Sequence, residues 1–188
     1  DSVYVLRLFN EELAPKPGRP KQGAAQRIAI PYVGNPDSIA VELISAKPEG
    51  FEKLITRKTG QDSLQFWYKP QTETDSLVFR TLANQKIDTA FVRKRKLKAD
   101  SLQIQSASSG LILEEPYVLN TTIPVIAVDT SKIVISRKDS TLVEDFKVNL
   151  YPKKLQLDLR FETAENESYN IQMLPEALTD FYGAKNDT

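Results

Sequence analysis

Cysteine and histidine are both missing from the 188-residue chain, and methionine and tryptophan occur once each. Without cysteine there are no disulfides and no thiolate metal sites. Without histidine the commonest general base and the commonest transition-metal ligand are gone. A Ser–His–Asp or Cys–His arrangement cannot be assembled from this chain alone. Catalysis would have to rest on carboxylates, lysine, tyrosine or an oxygen-ligated metal. Net charge is also missing: 25 basic residues balance 25 acidic ones. A dedicated nucleic-acid binder draws much of its affinity from a basic excess, so that class is demoted. No apolar run approaches the roughly 20 residues a membrane-spanning helix needs.

Hydrophobic residues nevertheless make up 40% of the chain, enough for packed cores. They recur with period two. Arg27–Val33, Ser38–Ile44, Ser63–Tyr68, Leu77–Thr81, Ile87–Val92 and Leu102–Ile104 read as one set of strands. A stretch over Val3–Phe9 precedes them. Leu111–Leu113, Tyr117–Leu119, Ile133–Ile135, Phe146–Tyr151, Leu155–Phe161 and Tyr169–Met173 read as a second set. Helical periodicity is confined to about one turn at Pro175–Leu178. Short strands punctuated by turns predict an all-β chain of two immunoglobulin-like antiparallel β-sandwich domains in tandem. The small-residue stretch Ser106–Gly110 sets the expected boundary, giving domains 1–105 and 106–188. The chain opens at Asp1 without a methionine or a signal peptide, which reads as a fragment of a longer protein.

Between the first two strands lies Ala14–Gly23, rich in Pro, Gly, Lys and Arg. It reads as a long, mobile, basic loop outside any sheet interior. Arg93-Lys94-Arg95-Lys96-Leu97-Lys98 is the densest charge run; a solvated strand edge is its plain reading, and Arg93 and Arg95 are candidate ligand contacts. Trp67 is the third candidate contact, as a sugar-stacking platform. Alternation sets it on the face opposite Phe66 and Tyr68, and sandwich core is its plain reading. Carboxylates gather at Glu11-Glu12, Glu114-Glu115 and around Asp180, Gly183, Asn186 and Asp187. None has the alternate-position spacing of a calcium loop. No residue is assigned a catalytic, metal-binding or cofactor role.

One pattern exceeds random placement. Of 12 aspartates, nine are followed by Ser or Thr, although Ser and Thr total only 26 residues. In six of these pairs the third residue is apolar: Val3, Ile39, Leu64, Leu77, Ala90 and Leu102. Turn chemistry explains such pairs if the carboxylate accepts from an amide two residues on. Asp-(Ser/Thr)-apolar also resembles the O-glycosylation acceptor pattern of exported Bacteroidota proteins. On that reading the acceptors are Ser38, Ser63, Ser76, Thr89 and Ser101. The sequon-like Asn120, Asn166 and Asn186 triplets are short enough to arise by chance.

The second half resembles the bacterial SbsA-type Ig-like domain. Tyr117–Pro124 with Val128–Ile133 is similar to that family's strand, turn and Asp-Ser-x-Ile segment. Tyr169–Pro175 with Ala177–Asp187 is similar to its closing segment, with Ala184 where the family carries an asparagine-like residue. The first half, through Tyr4–Glu12, resembles the region before this domain in Bacteroidota Ig-like-domain lipoproteins. The resemblance implies a non-enzymatic, structural or interaction region of an exported, surface-anchored protein, at the outer membrane or cell surface. Its implied partner is a protein or a surface glycan and not nucleic acid; a membrane is met only through an anchor outside this fragment. A carbohydrate-binding or adhesive module is the alternative.

Overall fold

The computed structural model of the chain describes residues 13–57 and 60–187. The expected strand at Val3–Phe9, the Glu11-Glu12 pair and the Asp1 site lie outside them. The strands in chain order are β1 (Lys16–Pro17), β2 (Lys21–Ala24), β3 (Arg27–Val33), β4 (Ala40–Leu43), β5 (Glu52–Arg57), β6 (Ser63–Lys69), β7 (Ser76–Ala83) and β8 (Lys86–Arg93). They continue with β9 (Ile104–Ser106), β10 (Tyr117–Thr121), β11 (Val125–Val128), β12 (Ile133–Arg137), β13 (Phe146–Tyr151), β14 (Gln156–Phe161), β15 (Tyr169–Met173) and β16 (Leu178–Asp180). Every pairing is antiparallel.

In the first half, β3 pairs with β6 and β6 with β5, and both β1 and β2 add to β3; β4, β7 and β8 form a second sheet. Taken in chain order this is the A-B-E-D and C-F-G arrangement of an immunoglobulin sandwich. Period two builds its core. Ile28, Ile30 and Tyr32 from β3 and Phe66 and Tyr68 from β6 meet Val41, Leu43, Leu77 and Phe79 from the facing sheet. The Phe66 and Phe79 rings meet edge to face at 5.2 Å. Burying an aromatic pair this way adds about 0.5–1.5 kcal/mol to its area term.

The second half repeats the larger sheet, here four-stranded, but splits the facing layer in two. The sheet β9-β10-β14-β13 is faced by the pairs β12-β15 and β11-β16. Leu157 and Leu159 alternate inward from β14 and pack on Leu119, Ile133 and Ile135. The change from one set of sheets to the other falls between Arg93 and Ile104, and Ser106–Gly110 follows β9.

Several elements differ from the sequence reading. The segment 14–23 contains two strands, β1 and β2, at the edge beside β3. Its prolines are tolerated because an edge strand needs donors on one side only; Gly18 adds an N–H bond to the Pro31 carbonyl at 2.6 Å. Leu111–Leu113 is not a strand: the Glu115 N–H closes a turn on the Ile112 carbonyl, and Glu114 sits at φ 63°. Pro175–Leu178 is a turn too, with Glu176 at φ 65°, which no right-handed helix accepts. Helix among the described residues is limited to three short 3-10 turns, at Pro36–Ser38, Thr130–Lys132 and Pro152–Lys154.

Candidate functional site

Strand β6 is buried on both faces, which is unusual for an antiparallel strand with one sheet behind it. Its even-numbered side chains enter the core of the first half. Trp67 points the other way, is 1% exposed, and packs with Ile123, Leu155 and Phe181 of the second half. Leu54, Leu102 and Tyr182 complete this cluster. Trp67 is therefore core, as its plain reading held, but the core of a joint between the two halves rather than of one sandwich.

The joint is polar at its rim and its polar groups are paired. The Trp67 indole N–H donates to Thr56 Oγ1 at 2.8 Å, and Thr56 is itself buried. The Arg27 guanidinium lies over the indole, 5.4 Å from the ring centroid. It donates through Nε and Nη2 to the two Asp100 oxygens at 2.8 and 3.0 Å, and through Nη1 to Gln65 Oε1 at 2.9 Å. A two-pronged arginine–carboxylate pair fixes geometry as well as charge. On the second half, the Tyr182 ring meets Trp67 edge to face at 6.3 Å. Burial pushes the Tyr182 phenol well above the usual tyrosine range, with the nearby Asp100 charge adding to it. Lys69 caps the Phe181 ring at 5.0 Å.

The two basic stretches come together. Gln22 of β2 bridges to Arg95: its Nε2 donates to the Arg95 carbonyl at 3.2 Å, and its Oε1 accepts from the Arg95 N–H at 2.7 Å. The Ala25 N–H donates to the Lys98 carbonyl at 3.1 Å. Arg93 ends β8, and Lys94 turns inward to donate to Thr72. Arg19, Lys21, Arg93, Arg95, Lys96 and Lys98 stay exposed, and among the described residues none of them forms an ion pair. Trp67 lies sealed in the joint, so the three candidate contacts do not share one accessible surface.

Of the five hydroxyl residues, Ser38, Ser76, Thr89 and Ser101 are exposed. Ser63 is half-buried, and its Oγ accepts from Gln65 Nε2 at 2.9 Å. Carboxylate-to-amide turns do form, but at other pairs. Asp129 accepts from the Ser131 N–H at 3.1 Å and Asp139 from the Thr141 N–H at 3.0 Å. The Ser131 hydroxyl bond, and its amide, hold the Asp129 carboxyl below the usual range; the Thr141 amide does so for Asp139. At the five described pairs with an apolar third residue no carboxylate accepts from the amide two residues on. Asp88 bonds only the adjacent Thr89 N–H, and Asp100 is committed to Arg27. Turn closure thus explains Asp129 and Asp139 and leaves the other five unexplained.

Near the C-terminus, the Asp180 and Asn186 side chains are engaged within the fold. Asp180 Oδ1 accepts from the Tyr182 and Ala184 N–H groups, both at 2.9 Å. Asn186 Oδ1 accepts from the Leu178 N–H and its Nδ2 donates to the Leu174 carbonyl. These bonds tie β16 and its following turn together. Among the described residues no three acids converge on one point.

No family model matches the chain, and no curated protein does. Among solved structures it is similar to the I9–I11 tandem of titin, at 12% identity and a TM-score of 0.30, over 85% of this chain and 61% of that one. It is also similar to domains 5–6 of the S-layer protein SbsC, at 13% identity and a TM-score of 0.33, over 85% of this chain and 92% of that one. Likenesses of this size assign no function to the chain.

Proposed function

We propose that the chain is a non-catalytic spacer or interaction region of an exported, surface-anchored bacterial protein, in which two immunoglobulin-like modules are held at a fixed angle. One observation carries this reading: Trp67 is sealed against Ile123, Leu155 and Phe181 across the joint. Tandem modules on loose linkers move independently by default, and an apolar, hydrogen-bonded junction opposes that motion. A fixed angle is useful in a part that positions something else. The resemblance of the second half to SbsA-type Ig-like domains supports export, as in Bacteroidota lipoproteins. Exposed acceptor hydroxyls at Ser38, Ser76, Thr89 and Ser101 support glycosylation after export. Small-angle scattering of wild type and Trp67→Ala tests the joint. A single compact profile that broadens in the variant supports the reading. A wild-type profile that already needs many inter-module angles overturns it.

The strip along β2 and 93–98 favours a second reading, a module that binds anionic glycans. Six exposed cations from two distant segments share one edge there. A glycan array containing uronate and sulfated chains tests this: retention that disappears in Arg93→Ala/Arg95→Ala supports it, and an empty array removes it.

A further inference from the structure

Strand β8 ends its sheet, and its outer edge has no backbone partner among the described residues. Which groups face outward follows from the ladder. The Lys94 N–H donates to the Asp75 carbonyl, so 75 and 94 form a hydrogen-bonded pair. Antiparallel pairs alternate, so with the β7–β8 register the even positions of β8 bond to β7. The N–H and C=O groups of Ile87, Thr89 and Phe91 therefore point to the free edge. The same three side chains lie on the outer face of the sheet, where Ile87 is 66% exposed and Phe91 63%. Leu82 beside Ile87, and Ile44 in the row of Phe91, add apolar area on the same face, with the Arg80–Glu42 ion pair in the row between them.

A groove runs beside this edge. One part lies between Ala14–Pro17 and Asn84–Asp88, and the other between Pro17–Pro20 and Asp88–Phe91; Thr81 lines both. In an immunoglobulin sandwich this is the opening between the first strand and the last. Here β1 and β2 both pair with β3. The groove's charges are Lys16, Arg19 and Lys86 against a single acid, Asp88. That acid is engaged: its Oδ1 accepts from the outward Thr89 N–H at 2.8 Å, where a neighbouring strand would place a carbonyl.

We propose that the β8 edge binds an extended peptide strand from a partner protein, one with apolar side chains at alternate positions and acidic residues at its ends. The strand would add to β4-β7-β8 as a fourth member. Its carbonyl would replace Asp88 on the Thr89 amide, its apolar residues would lie beside Ile87 and Phe91, and its acids would meet Lys16, Arg19 and Lys86. Main-chain bonds supply affinity in strand addition and alternate side chains supply specificity. The Trp67 joint plays no part, so the two proposals fail separately.

The probe is a fluorescein-labelled, end-capped peptide Asp-Val-Thr-Val-Thr-Val-Asp, titrated with the full chain and read by fluorescence anisotropy. Saturable binding is expected, weakened at least tenfold when the terminal acids are lysines. Thr89→Pro removes an N–H from the free edge without removing a β7 bond, and should weaken binding at least tenfold with an unchanged circular dichroism spectrum. If that variant unfolds, Phe91→Lys and slowed hydrogen exchange of the Thr89 amide on peptide addition are the readouts. Asp88→Ala frees the amide and should tighten binding several-fold. No binding at millimolar protein overturns the proposal, as does equal binding by Phe91→Lys or by the lysine-ended peptide. Self-association of the chain through this edge, with no peptide bound, would replace the partner strand by a second copy and likewise overturn it.

Discussion

The Tyr182 hydroxyl donates to the Gln26 carbonyl at 3.1 Å, a single bond joining the last turn of the second half to the first β-hairpin of the other. Gln26 also accepts from the Tyr68 N–H, so its carbonyl keeps a partner if Tyr182 is truncated. Tyr182→Phe should therefore cost only about 0.5–1.5 kcal/mol, the net value of one hydrogen bond. Denaturant unfolding measures it.

Trp67→Ala should cost more, about 3–5 kcal/mol, because it opens a cavity among Ile123, Leu155 and Phe181 and strands the Thr56 hydroxyl. The double variant with Tyr182→Phe should fall short of the sum, since both act on one contact. An additive result would show that the ring and the hydroxyl bond act separately.

Alkaline stability should report the same joint. Burial raises the Tyr182 phenol, and that of Tyr68, above the unfolded value. For a group raised on folding, stability is whole below the unfolded value and is lost as pH climbs toward the folded one. The loss should begin near pH 10, where unfolded tyrosine starts to ionise. Melting curves across that range should slope less steeply in Tyr182→Phe.

Gly34 should tolerate no side chain. It lies at φ +77°, and a Cβ there would stand 2.3 Å from the Leu13 carbonyl oxygen. Both the conformation and the clash oppose alanine, so Gly34→Ala should lose about 1–3 kcal/mol, read as a lowered Tm.

Limited proteolysis should spare 14–23, whose backbone is bonded to β3, and begin in the exposed stretch 107–115. Glu-C, cutting after Glu114 (the Glu115–Pro116 bond resists it), should leave two fragments that co-elute. They should co-elute in Trp67→Ala as well, because the cut falls between β9 and β10 and that ladder still joins the fragments. A first cut inside 14–23 would contradict the pairing of β1 and β2.

Much of the sandwich was legible where alternation is strict. Arg27–Val33 reads as β3 to the residue, and the alternating leucines of β14 mark their buried face. Strand β5 escapes because its apolar neighbours Leu54 and Ile55 serve different partners, one the joint and one the core, which erases its period. Leu111–Leu113 misleads for the opposite reason: three apolar residues in a row fit a strand, but Ile112 and Leu113 are exposed in a turn. The proline-rich segment fails as a loop because an edge position removes the rule against proline. Trp67 was legible as core, but its neighbours Phe181 and Tyr182 belong to the other half, and no local pattern links them. The β8 edge shows in sequence only as ordinary alternation, since a strand's place in its sheet is set by topology.

Because the chain holds one tryptophan, its indole emission, excited at the long-wavelength edge where tyrosine does not absorb, comes from a single location, the seam between its halves. An indole sealed from water emits at shorter wavelength than one that is wetted. Parting of the halves would shift the colour while both sandwiches kept their circular dichroism, so hinge opening and unfolding become separately visible in an unlabelled sample. The molecule carries its own goniometer lamp, and a pulling or titration experiment needs no added dye to watch it.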